Sequence, residues 1–354
     1  MIRLDKSLID GLDPANPSLP AVQKALQKAV ELEHATIPTY LYALYSLVPG
    51  KNDAIAAIIE SVVVEEMLHM TLACNVLNAV GGAPQIDRPD FIPTYPGPLP
   101  GGVQSGLTVQ LAPFSMDQLG KFLEIEEPED PLVYKSLAIA EAQDITIGMF
   151  YTAISDCIAA LGENVFVDPP RHQVGPDLMF EAVVVTDVAT AQQAINTIIE
   201  QGEGTGTSPE EVVGGGYAHY YRFQQIAMGH ELVKNPDPQP NPDNQYSFTG
   251  PAIPFDDTGV YAVPTDPSKA NYTGQQRFEN ETFNYTYTSL LKSLHGLFNG
   301  ADTQAQFNRA IGLMMSLKGQ ARAIMAGLPN PDPSAPDFVG PSFEYQPLNP
   351  GPPS

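Results

Sequence analysis

Apolar residues along the chain fall into long stripes at helical spacing, separated by stretches rich in Pro and Gly. Between Pro20 and Leu47, the positions Val22, Leu26, Ala29, Ile37, Tyr40, Leu44 and Leu47 recur at threes and fours, and Glu33 fills the one gap. Pro20 suits a first helical turn after Ser18. The stretch 53–80 is stricter. Ile55, Ile59, Val62, Glu66, His69, Ala73, Val76 and Val80 alternate steps of four and three, which is one face of one helix. Gly81-Gly82 supplies its stop. The same patterning predicts helices over 131–161 (ending at Gly162), from Asp187 through Gln201, over 217–233, over 275–298 and over 303–326. Ser115 with Gln118 three positions on caps a further helix inside 107–127. Leu107–Leu111 and the run MFEAVVV at 179–185 read as short strands.

The breakers organise the chain. Its 29 Gly and 35 Pro cluster at 84–106, 202–216, 235–267 and 328–354 and leave the helical segments nearly clean. No internal repeat is evident. We read residues 1–233 as a helical bundle with insertions at 84–127 and 163–187. Residues 234–354 read as a Pro-rich connection, two more helices and an extended tail packed on the bundle, the tail laid over its surface or partly disordered from Gly327. The expectation is a mainly α fold with small β elements.

Composition narrows the chemistry. The 354 residues are 43% apolar, enough for a sizeable core, and the formal net charge is −24 from 41 acids and 17 bases. Such a chain is ill suited to nucleic acid or to an anionic membrane surface, both of which call for clustered Lys and Arg. The first residues lack a continuous apolar stretch and no run is long enough to span a bilayer, so a cytoplasmic protein is expected. Cys74 and Cys157 lie in apolar helical patterns and read as core residues. Asn271, Asn280 and Asn284 begin N-x-T triplets, which carry no meaning without export. No phosphate-binding Gly loop and no nucleophile elbow is present, leaving nucleotide-dependent and hydrolase readings without support.

The informative feature is acid on an apolar stripe. Glu33 lies in line with Ala29 and Ile37, and Glu66 and His69 lie in line with Val62 and Ala73. An ionised carboxylate is not buried alone; it is paired, protonated or bound to a metal. With so few bases in the chain, two acids and an imidazole facing one core point to a metal, against the alternative of a buried polar network with bound water. If the first two helices are antiparallel, Glu33 and Glu66 both sit about 20–25 Å from the turn between them. Glu66-x-x-His69 places both groups on one helix surface.

At these residues the chain resembles the ferritin-like iminophenylpyruvate dimer synthase family of bisindole secondary metabolism, the violacein and rebeccamycin type. The resemblance is carried by LEHATIPTYLYALYSL (32–47) and EEMLHMTLACNVLNAVGG (65–82). Further echoes are YPGPLPGG (95–102), TIGMFY (146–151), EQGEG (200–204), HYYRF (219–223) and GPSFEY (340–345). It implies a ferritin-like four-helix bundle with extra helices and a carboxylate site for one or two iron ions, manganese being the other metal. It also implies oxidative coupling of two aromatic imino acids supplied by a partner amino-acid oxidase, with a small aromatic substrate held between the helices. Such bundles take Glu from two helices and Glu-x-x-His from two others. Glu203, continuing the line Ile195–Ile199, and His219, heading the stripe of Phe223 and Ile226, are therefore the expected remaining ligands, with Glu200 in reserve. Arg222 and His230 are expected outside the ligand set.

One position departs. The family pattern reads TIGEFY, and Met149 stands at its Glu, on stripe with Ala142 and Ile145. A thioether is a poor ligand for hard iron, and Glu141 is two turns away. This leaves room for a single-metal site, an altered reaction or a catalytically degenerate metal- or ligand-binding protein, and no catalytic residue is assigned. A hollow ferritin-type store is disfavoured by the Pro-rich insertions, and a homo-oligomer is left open. Tyr40, Tyr42 and Tyr45 read as core aromatics, Tyr40 lying two turns from Glu33 on the same face. Pro38 is expected to kink the first helix near the site.

Overall fold

The computed structural model describes residues 4–101, 107–128, 144–203, 208–210, 216–236, 245–301 and 303–347. The frame is an antiparallel pair, α1 (Leu19–Ser46) and α2 (Asp53–Ala79), joined by a short turn. Its apolar stripes are buried from Val22 to Leu47, Ile37 alone being only partly so, and from Ile55 to Val80. Asn52 caps nothing on its own helix. Its amide instead donates to the carbonyls of Asp256 and Gly259, so the turn is held by a distant segment. Pro38 sits inside α1 without ending it.

α4 (Ile147–Leu161) and α5 (Val188–Glu203) complete a four-helix bundle with that pair, and α3 (Met116–Glu126) and α6 (His219–Met228) close over one side. α3 begins at the Ser115 cap, whose hydroxyl accepts from the Gln118 amide at 3.0 Å. α6 ends at Gly229 in the left-handed conformation (φ 69°), where a residue without Cβ is unstrained. A hairpin of α7 (Gly274–Phe298) and α8 (Gln304–Gly327) lies against α1 and α2. Two antiparallel two-residue pairs, β1 (Leu4–Asp5) with β2 (Asp144–Ile145) and β3 (Val233–Lys234) with β4 (Tyr246–Ser247), are the named strands among the described residues. No helix among those residues is long and apolar enough to cross a membrane. Cys74 and Cys157 are both free and buried.

Four expectations need correction. The predicted 131–161 helix begins only at Ile147; residues 129–143, including Glu141 and Ala142, lie outside the described residues. Ile145 pairs with Leu4 instead, and the Thr146 hydroxyl caps the helix by accepting from the Met149 amide at 3.0 Å. Leu107–Leu111 forms one isolated bridge, Val109 to Gly97, and not a strand. MFEAVVV finds no strand partner, because Glu181 adopts φ 68° and breaks the extended run. The tail lies over the surface only in part: residues 329–338 are mostly exposed, whereas 339–343 are buried. Val339 and Phe343 are fully buried, and Gly340 passes so close to Tyr42 that a Cβ there would meet the phenol at 2.0 Å.

Candidate metal centre

Five chemistry-bearing side chains converge inside the bundle. α1 delivers Glu33, α2 delivers Glu66 and His69, α3 delivers Glu126 at its last residue, and α6 delivers His219 at its first. Glu33, Glu66, His69 and His219 are all at most 6% exposed. His219 Nδ1 lies 3.0 Å from Glu66 Oε1 and 3.5 Å from Glu126 Oε2, and His69 Nδ1 lies 3.5 Å from Glu33 Oε2. Glu66, His69 and His219 each offer one ligand atom within 4.8 Å of the others. The two imidazoles stack at 5.2 Å between centroids.

Every group in the cluster is held from outside. Each carboxylate has one oxygen tied by a hydroxyl: Tyr151 donates to Glu33 Oε1, Tyr40 to Glu126 Oε1, and Thr36 to Glu66 Oε2 at 3.0 Å. The other oxygens, Glu33 Oε2, Glu66 Oε1 and Glu126 Oε2, are those that face an imidazole Nδ1. The outer nitrogens are tied as well. His69 Nε2 is 3.0 Å from the Gln201 amide oxygen, and His219 Nε2 is 3.1 Å from Glu65 Oε2. Glu65 in turn takes Arg222 Nη1 at 2.8 Å. Outer partners of this kind fix ring orientation and tautomer in metal sites.

The electrostatics are those of a site short of positive charge. Burial, then the neighbouring Glu126 charge, pushes Glu66 up to about 7, against the pull of His219. Burial works against a charged His219, but its contacts with Glu126, Glu65 and Glu66 outweigh this and hold it well above the ordinary imidazole range. His69 is raised in the same way: burial lowers it and Glu33 more than compensates. Burial and the adjacent carboxylates push Tyr40 and Tyr151 well up, so both phenols stay protonated donors. Burial raises the Glu65 carboxyl, yet its bonds from His219 and Arg222 leave it below the usual range.

One atom tests whether a cation fits. His219 Nδ1 is fully buried and has two carboxylate oxygens at 3.5 Å or less, yet none is aligned to accept a hydrogen bond from it. Hydrogen bonding needs alignment; a metal ion attracts such donors from any side. A carboxylate and imidazole donor set suits iron or manganese. A cavity of about 50 Å³ opens beside the cluster, with Leu32, Ile125, Ile147 and Ile198 in its wall.

The structure brings Glu33, Glu66, His69 and His219 together. Glu203 is the last residue of α5, and its side chain lies outside the described residues. Glu200 is half-buried and joins none of the contacts that build the cluster; its neighbour Gln201 faces His69 instead, because the turn of α5 presents 198, 201 and 202 to the centre. Met149 is not at the centre. Its side chain is 46% exposed, since starting α4 at Ile147 turns Tyr151, two residues on, toward Glu33. Arg222 acts through Glu65, and His230 is exposed with its Nδ1 on the Gly250 carbonyl. Sequence reasoning missed Glu126. Its signal was there: Leu119, Phe122 and Glu126 follow steps of three and four, and the first two are fully buried.

The neighbouring Glu31 shows what a structural acid looks like here. It is equally buried, but Lys28, Arg88 and Gln27 all reach it.

A ferritin-like family model matches residues 26–228, more than half of the chain and every residue of this cluster. The chain belongs to the ferritin-like family. Among solved structures, a ferritin-like protein from Caulobacter vibrioides is 23% identical, with a TM-score of 0.58, over 87% of this chain and 96% of that one. At that identity the likeness shows the ferritin-like fold alone. No curated protein matches.

Proposed function

We propose that this ferritin-like chain is a non-haem metal-dependent oxidoreductase in which Glu33, Glu66, His69, Glu126 and His219 hold iron, with manganese as the second metal. Glu203 remains a candidate at the end of α5. The carrying observation is the convergence of three carboxylate oxygens on two inward imidazole nitrogens, with no Lys or Arg paired to those oxygens among the described residues and His219 Nδ1 the buried atom that makes no aligned hydrogen bond. Iron held there supplies one-electron redox chemistry toward an oxidant such as dioxygen. Around it, the hydroxyls of Thr36, Tyr40 and Tyr151 orient the carboxylates, and Leu32, Ile125, Ile147 and Ile198 keep the cavity wall apolar.

The finer reading follows the family resemblance: two aromatic imino acids, delivered by an amino-acid oxidase, are joined by one new bond while two electrons and two protons pass to the oxidant. The second reading, a metal- or ligand-binding protein without turnover, is favoured by the cavity of about 50 Å³, which holds only a few water-sized guests.

The test is elemental analysis of protein expressed with iron and with manganese, combined with anomalous scattering. Metal at the five side chains, with ligand atoms at about 2.0–2.2 Å, is the expected result. Metal-free protein from both cultures overturns the proposal. Oxygen uptake by the loaded protein, fed aromatic imino acids made in situ by an amino-acid oxidase, then separates turnover from binding.

A further inference from the structure

His69 and His219 are both anchored at Nε2, but by different means. Glu65, one residue from Glu66 on α2, takes His219 directly. His69 instead meets Gln201, a carboxamide 1% exposed, whose oxygen and nitrogen differ only in what they can bond. The next neighbour out settles which is which. Gln201 Nε2 lies 2.9 Å from Glu181 Oε2. A carboxylate accepts, so the amide nitrogen faces Glu181 and the amide oxygen faces His69, 3.0 Å from Nε2. A carbonyl oxygen can only accept. His69 Nε2 therefore carries hydrogen in every state of the ring, and Nδ1 is the atom free to exchange a proton for a metal.

We propose that Glu181 is a positioning residue for the metal centre: acting through Gln201, it fixes His69 with Nδ1 turned inward. This rests on the metal-binding reading above.

The loop that carries Glu181 is built to hold still relative to His69. Asn75, fully buried and on the same helix, donates to the carbonyls of Val174 and Val183 at 2.8 Å and accepts from the Val174 amide at 3.0 Å. Glu181 is placed between these tethers at φ 68°, a left-handed conformation that is unfavourable for a non-glycine residue and persists where surroundings impose it. The left-handed backbone places the carboxylate against the buried Gln201 amide that touches His69.

The experiment compares full-length wild type with Glu181→Ala, Glu181→Gln and Gln201→Leu. Mn(II) affinity is measured by titration. The position of the His69 ring hydrogen is read by NMR on the metal-free protein with ¹⁵N-labelled histidine. Glu181→Ala frees the Gln201 amide to flip and should weaken Mn(II) binding about 10-fold, at the low end for outer partners of a ligand histidine. It should also remove the hydrogen-bonded signal at Nε2. Glu181→Gln keeps an acceptor oxygen and should stay within about threefold of wild type on the same scale. Gln201→Leu should lose up to about 100-fold. The proposal is overturned if Glu181→Ala keeps both wild-type affinity and the Nε2 hydrogen. It is equally overturned if Glu181→Gln is as impaired as Glu181→Ala, since general loosening of the loop would act on both. If wild type binds no Mn(II) or iron, the metal reading fails, and the NMR arm alone still decides whether Glu181 orients His69.

Discussion

Two of the buried polar clusters among the described residues are built on opposite principles. Where the tail crosses α7, Asn280 and Asn284 are fully buried and meet Ser342, Gly340 and Glu344. Asn280 Nδ2 donates to the Gly340 carbonyl at 2.9 Å, Asn284 Nδ2 donates to Ser342 Oγ at 2.9 Å, and the Glu344 amide donates to Asn284 Oδ1 at 3.0 Å. Donors and acceptors are matched, and the asparagines are neutral. At the centre of the bundle the reverse holds. Three carboxylates and two imidazoles face one another, Glu66 is pushed up to about 7 by burial and its acidic neighbours, and His219 Nδ1 finds no aligned partner. A polar network that serves the fold completes itself. One that leaves like charges together and a buried nitrogen unmatched is completed by something from outside.

The sharpest way to break this comparison is to add the missing cation. A metal that binds only the folded chain stabilises it by about 4 kcal/mol at a thousandfold excess over Kd. Mn(II) or Fe(II) should therefore raise Tm, and equal Tm values in metal and in chelator would place both clusters in the same class. The gain should grow with pH. Glu66 holds its proton up to about 7 in the folded state but releases it near 4.5 when unfolded, so its share of metal-free stability falls as pH rises across that window. The raised His69 and His219 act in the same sense, their contribution being present below 6.5 and lost as pH rises through their folded values. His34 opposes them. Burial pushes it down to about 3, so its contribution is lost as pH falls from 6.5 toward 3. Metal-free protein should thus lose stability from pH 6.5 to 8.5, and a flat or rising curve by thermal denaturation would contradict the charge balance described.

The tail cluster responds to a different cut. Asn284→Ala strands the Glu344 amide and should cost about 1–3 kcal/mol in urea unfolding, with metal affinity unchanged. A fall in affinity would mean that the two clusters are coupled. Tyr151→Phe removes the hydroxyl that ties Glu33 Oε1 and should weaken metal binding about 10-fold, while Tm in chelator moves little. Met149→Glu should do least. Its side chain is half-exposed and off the centre, so metal stoichiometry should stay as in wild type; an added metal would restore the expected role of that position.

Much of the bundle was legible because helix faces leave a linear trace. The steps of three and four through α2 run straight across Glu66 and His69, and the same steps lead from Leu119 through Phe122 to Glu126. What misled was context that no stripe records. The Thr146 cap decides where α4 begins, so Met149 faces outward and Tyr151 inward, against a motif that aligns them otherwise. Asn280 and Asn284 stand in N-x-T triplets that carried no meaning in the sequence, and they are fully buried because the tail folds back over them. Glu181 sits in a run that reads as a strand, and its role depends on a buried amide twenty residues away.

The order of residues alone dictated that long amphipathic helices would form and that Glu33, Glu66 and His69 would ride their buried faces, since periodicity is a property of neighbours along one helix. Which groups meet across helices was decided by packing in three dimensions. Glu126 and His219 enter from the ends of two short helices, and hydroxyls from α1 and α4, the Gln201 amide of α5 and the Glu65 carboxylate of α2 choose which atom of each ligand points inward. Hydrogen-bond direction and close approach between elements leave no period in a chain, and here they set the chemistry of the centre.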